Sequence, residues 1–183
     1  MSDVAYLQSL LTAHHDFPKK GIVFLDMFPI LRDPIAFETL ITHFMHHLTS
    51  HTIPLSPAKK IDVVVGLDAR GFLFGPIIAL RLGAAFVPVR KAGKLPGAVV
   101  SAQYEKEYGT DSFEMQADAI KPGQSVIVID DLMATGGSAK AAGELIAQQG
   151  CKTLEYLFII ELEFLKGHEK LDGPVYSIVK SND

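Results

Sequence analysis

The sequence holds one cysteine, Cys151, so no disulfide can close within the chain, which suits a reducing compartment. No apolar run approaches the roughly 18 residues that a membrane-spanning helix needs. The opening stretch MSDVAYLQSLL lacks the basic start and small-residue cleavage site of a secretory leader. We therefore expect a cytosolic protein with no membrane partner. Net charge is scarce too, at −4 with a pI of about 5.9, which gives no basis for bulk attraction to nucleic acid. A small anionic ligand stays open, because a local cluster of donors can oppose the global charge. Repeats, low-complexity tracts and long charge blocks are missing.

What is present is the composition of a globular protein, and 183 residues predict one domain spanning 1–183. Ser2 or Asp3 is placed to cap a helix running through His14. Apolar Phe37, Leu40, Ile41, Phe44, Met45 and Leu48 recur at helical spacing over 34–51. The stretch "HTIPLSPAKK" (51–60) reads as a surface connection. Short apolar strands are predicted at 61–67, 84–90, 125–129 and 154–161, with helices at 71–82 and 136–149 closed by Gly83 and Gly150. Strands that alternate with helices make parallel crossovers and an open α/β sheet. In such sheets ligands bind beyond the carboxyl ends of the strands, where the strand order switches.

One such end is "SVIVIDDLMATGGSA" (125–139), an apolar run entering Asp130 and Asp131 and then a turn of small residues. Two adjacent carboxylates at a buried strand end are costly unless they meet donors, and the hydroxyls of a ribose are such donors. In the turn, Ala134, Thr135, Gly136, Gly137 and Ser138 offer backbone N–H groups, two hydroxyls and the positive end of a helix. No lysine follows the glycines, so the nucleoside triphosphatase loop is ruled out, and the turn suits a monophosphate. The structural alternative is a tight strand–helix turn with Ser138 near the cap.

The segment resembles the fingerprint of the type I phosphoribosyltransferases. "DFPKKGIVFLDMFPIL" (16–31), "GLDARGFLFG" (66–75), "VRKAGKLPG" (89–97), "YEKEYG" (104–109) and "LEYLFIIELEFLKGHEKL" (154–171) resemble the adenine phosphoribosyltransferase family in that family's order, over nearly the whole chain. The resemblance implies an open, mainly parallel twisted sheet flanked by helices, with a small N-terminal hood over about 1–33 and a mobile lid over about 92–111. It implies adenine and 5-phosphoribosyl 1-diphosphate as substrates, AMP and diphosphate as products, and a homodimer. Magnesium (Mg2+) is expected mainly on the substrate, with no metal site of the chain's own.

The residues carried over follow the motifs. Leu67, Asp68, Ala69 and Arg70 would form the diphosphate loop, with a cis Asp68–Ala69 peptide and an Arg70 fork on phosphate oxygens. A helix terminus contributes about 0.3–2 kcal/mol, whereas micromolar binding needs about 8 kcal/mol. Arg90, Lys91 and Lys94 are therefore expected to add positive charge; a solvated position in a loop is the bland reading of Lys94. Glu107 would handle the proton of the base, with Tyr108 and Arg70 beside the reacting groups, although "EKEYG" alone reads as a solvated charged hairpin. Val23, Phe24 and Leu25 would enclose adenine, with Ile160 or Leu162 opposite. Phe24 would stack on the purine, and plain core is its alternative. Leu25 departs from the family, which commonly carries a charged residue there.

Other chemistries are open but less supported: the same transfer to another purine base, a non-catalytic nucleotide-binding relative, or a nucleic-acid-binding regulator on this fold. His43 and His47, four apart, lie on the polar face of a helix and are expected to be solvated rather than metal-bound. Cys151 has no base partner, and Glu161 and Glu163 are expected to face solvent or a subunit.

Overall fold

The computed structural model describes residues 2–17, 20–21, 23–105 and 110–182. Helix α1 (Asp3–Leu10) starts where Ser2 accepts a hydrogen bond from the Ala5 amide at 3.3 Å. It ends short of His14, which lies instead in β1 (Thr12–His15), paired antiparallel with β2 (Val23–Asp26). Thr12 and the histidines that follow suit an extended exposed ribbon better than a helix end. Helix α2 (Phe28–Arg32) follows.

In α3 (Pro34–His47) Asp33 caps the amides of Ile35 and Ala36, and Pro34 sits where its missing N–H is no loss. The predicted surface connection is partly helical. A wide turn, Leu48–Thr52, runs into α4 (Ile53–Leu55), with Thr52 and Ser56 buried. The helix predicted at 71–82 is broken into a 3₁₀ turn (Arg70–Leu73) and α5 (Gly75–Leu82). Pro76 forces this, because an earlier start would put its ring against the Phe72 carbonyl. Gly83, with φ 67°, closes α5 in the left-handed conformation as predicted.

The main sheet runs in the order β5 (Val99–Glu105), β6 (Thr110–Gln116), β4 (Ala85–Lys91), β3 (Val63–Leu67), β7 (Ser125–Met133), β8 (Lys152–Leu162), β9 (Val175–Ser181). The pairs from β4 through β9 are parallel, whereas β5 and β6 form an antiparallel hairpin that pairs with β4. Every residue of β3 is buried, as expected of a strand covered on both faces. One core joins the sheet to α3 and α5 through Phe44, Phe74, Ile127 and Ile129. The other packs Val126, Val128 and Phe158 under Ala142, Leu145 and Ile146 of α6 (Gly137–Gln148).

His43 and His47 are not solvated, whereas His46 on the same helix is exposed. His47 Nε2 lies 2.9 Å from Glu155 Oε1, and Glu155 Oε2 accepts from the Thr52 hydroxyl at 2.5 Å. Tyr176 stacks on the His47 ring at 3.6 Å, and its hydroxyl is 2.6 Å from His43 Nε2. A buried glutamate on β8 thus draws the histidines inward, which the spacing of α3 alone does not reveal. Among the described residues no helix is long and apolar enough to cross a membrane.

Candidate active site

Strand β3 pairs in parallel with β4 on one side and β7 on the other. The connections leaving β3 and β7 therefore diverge, and the crevice between them is the switch point where ligands bind. Strand β7 does not stop at Ile129 as predicted. It runs to Met133, paired with β8 through Leu132–Ile160 and Met133–Glu161, so Asp130 and Asp131 sit inside a strand. Asp131 is 3% exposed.

That burial has electrostatic consequences. It pushes the Asp130 carboxyl well above the ordinary carboxylate range, and the neighbouring Asp131 charge pushes the same way. It raises Asp131 as well, against the pull of the Arg70 guanidinium. Arg70 Nη1 stands 2.9 Å from Asp131 Oδ2. The Asp131 amide donates to Asp130 Oδ1 at 2.9 Å, which holds the pair in one orientation.

Arg70 reaches Asp131 because Gly71 lets the 3₁₀ turn lie against β7. A Cβ at Gly71 would be 2.6 Å from the Ile129 carbonyl oxygen. The Arg70 guanidinium also lies 5.5 Å from the centre of the Phe24 ring, which Phe17 meets edge-on at 5.3 Å. One arginine thus touches both the ring assigned to the base and a carboxylate assigned to the ribose. The Asp68–Ala69 peptide is cis. Arg90 Nε is 3.1 Å from Asp68 Oδ2, and its Nη1 donates to the Lys94 carbonyl at 3.3 Å. Lys91 and Lys94 are exposed.

After β7, Gly136 adopts φ 78° and Gly137 opens α6. Thr135 is exposed, Ala134, Gly137 and Ser138 are half-buried, and Gly136 is buried. The reason is a close approach that sequence reasoning missed. A Cβ at Gly136 would collide with the Gly167 carbonyl oxygen and lie 2.9 Å from its carbon. Gly136 thus serves packing as well as any opening of amides to a ligand.

On the base side, Val23 is 38% exposed, while Leu25 and Leu162 pack against the first core. Ile160 is fully enclosed there, so of the two residues expected opposite Phe24 only Leu162 is half-exposed. Glu107 and Tyr108 lie outside the described residues. Glu161 is corrected: it is buried, with Oε1 2.9 Å from His168 Nδ1 and Oε2 3.7 Å from Lys180 Nζ. Glu163 bonds Lys180 at 2.9 Å. The Cys151 thiol donates to the Lys121 carbonyl at 3.1 Å and is buried, which leaves it no nucleophilic role.

Residues 37–181 match the family model described as the phosphoribosyl transferase domain. The chain is 55% identical to an adenine phosphoribosyltransferase of Yarrowia lipolytica, over 97% of this chain and 95% of the relative. It is 53% identical to adenine phosphoribosyltransferase 1 of Saccharomyces cerevisiae, over 99% of this chain and 96% of that one. A crystal structure of the Saccharomyces cerevisiae enzyme, complexed with D-2,5-dideoxy-2,5-imino-altritol 1,6-bisphosphate and adenine, matches with a TM-score of 0.92. The two are 52% identical, over 96% of this chain and 98% of that chain. The sheet order, the crevice and these matches define a type I phosphoribosyltransferase fold. The chain belongs to the phosphoribosyltransferase family, among the adenine phosphoribosyltransferases.

Proposed function

We propose that this enzyme transfers the 5-phosphoribosyl group from 5-phosphoribosyl 1-diphosphate to adenine, a purine salvage reaction. One observation carries the reading: an acidic pair, an arginine and a phosphate-type turn converge at the switch point of a parallel sheet, in a chain half-identical to enzymes named for adenine. The bond from adenine N9 to the anomeric carbon forms as the bond from that carbon to the diphosphate oxygen breaks. Diphosphate leaves, and the N9 proton passes to the Glu107 carboxylate, with Tyr108 alongside.

The described groups have complementary tasks in this reading. The turn 134–138 binds the 5′-phosphate through backbone amides and the Thr135 and Ser138 hydroxyls. Asp130 and Asp131 accept from the ribose diol, which supplies the donors their burial lacks. Arg70 leaves Asp131 for the diphosphate, and Arg90, Lys91 and Lys94 add charge around the loop of Leu67, Asp68 and Ala69. Phe24, released from Arg70, stacks on adenine between Val23, Leu25 and Leu162, with backbone groups reading the exocyclic amine. Residues 92–111 close over the sugar, because water competes with adenine for an electron-poor carbon.

Among the described residues no cluster of three or more histidine, cysteine or acidic side chains is arranged to hold a metal. The carboxylates of Asp130 and Asp131 are hard oxygen donors that suit magnesium arriving with the substrate. Magnesium bound to the diphosphate would neutralise charge on the leaving group. We further infer a homodimer, and a cytosolic enzyme from its lone cysteine, Cys151.

The test is direct. Purified protein mixed with adenine, 5-phosphoribosyl 1-diphosphate and magnesium should form AMP, with little product from hypoxanthine or guanine. Equal rates with all three bases would replace adenine as the substrate, and no product with any base would leave only a nucleotide-binding role.

A further inference from the structure

Behind the phosphate turn the chain makes a second turn. Between β8 and β9, the segment Glu163–Leu165 ends at Lys166, whose φ of 50° is left-handed, and Gly167–Lys170 follows. Gly167 is buried against the phosphate turn. A Cβ at Gly167 would strike the Ala134 carbonyl oxygen and lie 2.8 Å from the Gly136 nitrogen and 3.0 Å from Met133 Sδ. The two glycines therefore meet backbone to backbone, and neither turn can shift its peptide planes without displacing the other.

A buried side chain ties the second turn to the sheet. Glu161 lies on β8 opposite Met133 of β7 and Lys180 of β9. Its carboxylate is 4% exposed, yet it reaches back to accept from His168 Nδ1, the residue next to Gly167, at 2.9 Å. Lys180 Nζ stands 3.7 Å from the other oxygen. The hydrogen bond joins the sheet, next to the strand that carries the acidic pair, to the segment that backs the phosphate turn. A hydrogen bond to a buried carboxylate is stronger than a neutral one and costly to leave unmade.

We propose that Glu161 and His168 are positioning residues for phosphate binding: by pinning Gly167 on Gly136 they fix the amides that receive the 5′-phosphate. The inference rests on the assignment of that turn to the sugar phosphate. Neither residue touches substrate, so their effect falls on phosphate affinity and leaves the chemistry at the anomeric carbon intact. Leu162 immediately precedes this segment, so the same clasp ties the base side of the crevice to the phosphate side.

The experiment compares the unmodified protein with His168→Ala and His168→Asn, the latter keeping an N–H donor near the place of Nδ1. His168 is 43% exposed in its side chain, so both variants are expected to fold, which their thermal midpoints check. Ribose 5-phosphate binding, which needs no base, is read by calorimetry beside steady-state kinetics. His168→Ala is expected to weaken ribose 5-phosphate and raise KM for the phosphoribosyl donor by about tenfold, with kcat and KM for adenine within about twofold. His168→Asn should recover most of that loss. Unchanged ribose 5-phosphate affinity in His168→Ala, an equal loss across all parameters, or no recovery in His168→Asn would each overturn the role. So would an unmodified protein that does not bind ribose 5-phosphate. Synthesis of AMP by the unmodified protein reports separately on the adenine assignment.

Discussion

Asp130 and Asp131 place two carboxylates where burial resists their charge, and the Arg70 guanidinium and nearby backbone amides only partly oppose that cost. The folded-state proton affinity of Asp130 is raised above the unfolded one. Well below the unfolded value of about 3.9 the group is protonated in both states and costs nothing; the penalty builds as pH rises from there and is complete above the raised folded value. Asp130→Asn is therefore expected to raise the urea midpoint of the unliganded protein at pH 8, with the gain shrinking toward zero as pH falls below the unfolded value. A lower midpoint at pH 8 would mean that the carboxylate stabilises the fold. Glu107 has a kinetic test instead. Glu107→Gln should cut kcat by about 10²–10⁴-fold while ribose 5-phosphate affinity is preserved. Parallel loss of both would remove its role as the proton acceptor. The acidic pair stands out in the sequence because two adjacent carboxylates follow an apolar run, whereas Glu107 rests on the family resemblance alone. Glu161 was not legible: its alternation with apolar neighbours reads as facing solvent or a subunit, and His168 and Lys180, 7 and 19 positions along the chain, make its burial tolerable.

At the scale of the element, glycine is used where two backbones meet. Gly71 lets the 3₁₀ turn approach β7, and Gly136 lets the phosphate turn rest on Gly167. Gly136→Val would therefore do more than crowd the ligand. It would impose a branched side chain on φ 78° and drive it into the Gly167 carbonyl. We expect ribose 5-phosphate binding to vanish and the thermal midpoint to drop by on the order of 5 °C or more. Lost binding with an unchanged midpoint would show that the glycine faces only the ligand. Apolar runs located β3, β4, β7 and β8, but their ends moved. Strand β7 passes through its acids because β8 supplies partners as far as Met133. Strand β9 and the β1–β2 ribbon went unread: the ribbon strands are four residues each and β1 is exposed throughout, and β9 finds its hydrogen bonds on β8, 19 positions back.

At the scale of the whole molecule, the parallel sheet sets a switch in strand order between β3 and β7, where Arg70 meets Asp131. The outer surface has apolar residues with no cover, Leu73 at 41% and Leu80 at 81% exposure on the turn and helix that follow Arg70. Sedimentation equilibrium is expected to give about twice the 19.9 kDa of one chain. A mass of one chain at micromolar concentration would refute the homodimer.

The alternation of β3, β4, β7 and β8 with their helices, the acidic pair and the small-residue turn were determined by the sequence itself, since hydrophobic period, glycine and charge act over a few neighbouring residues. Only the tertiary structure decided that Arg70 bridges Phe24 and Asp131, that His47 leans on Glu155, and that Gly167 seals the back of Gly136. Those contacts join residues between 30 and more than 100 positions apart, and their energy depends on burial, which exists only once the sheet has closed its two cores.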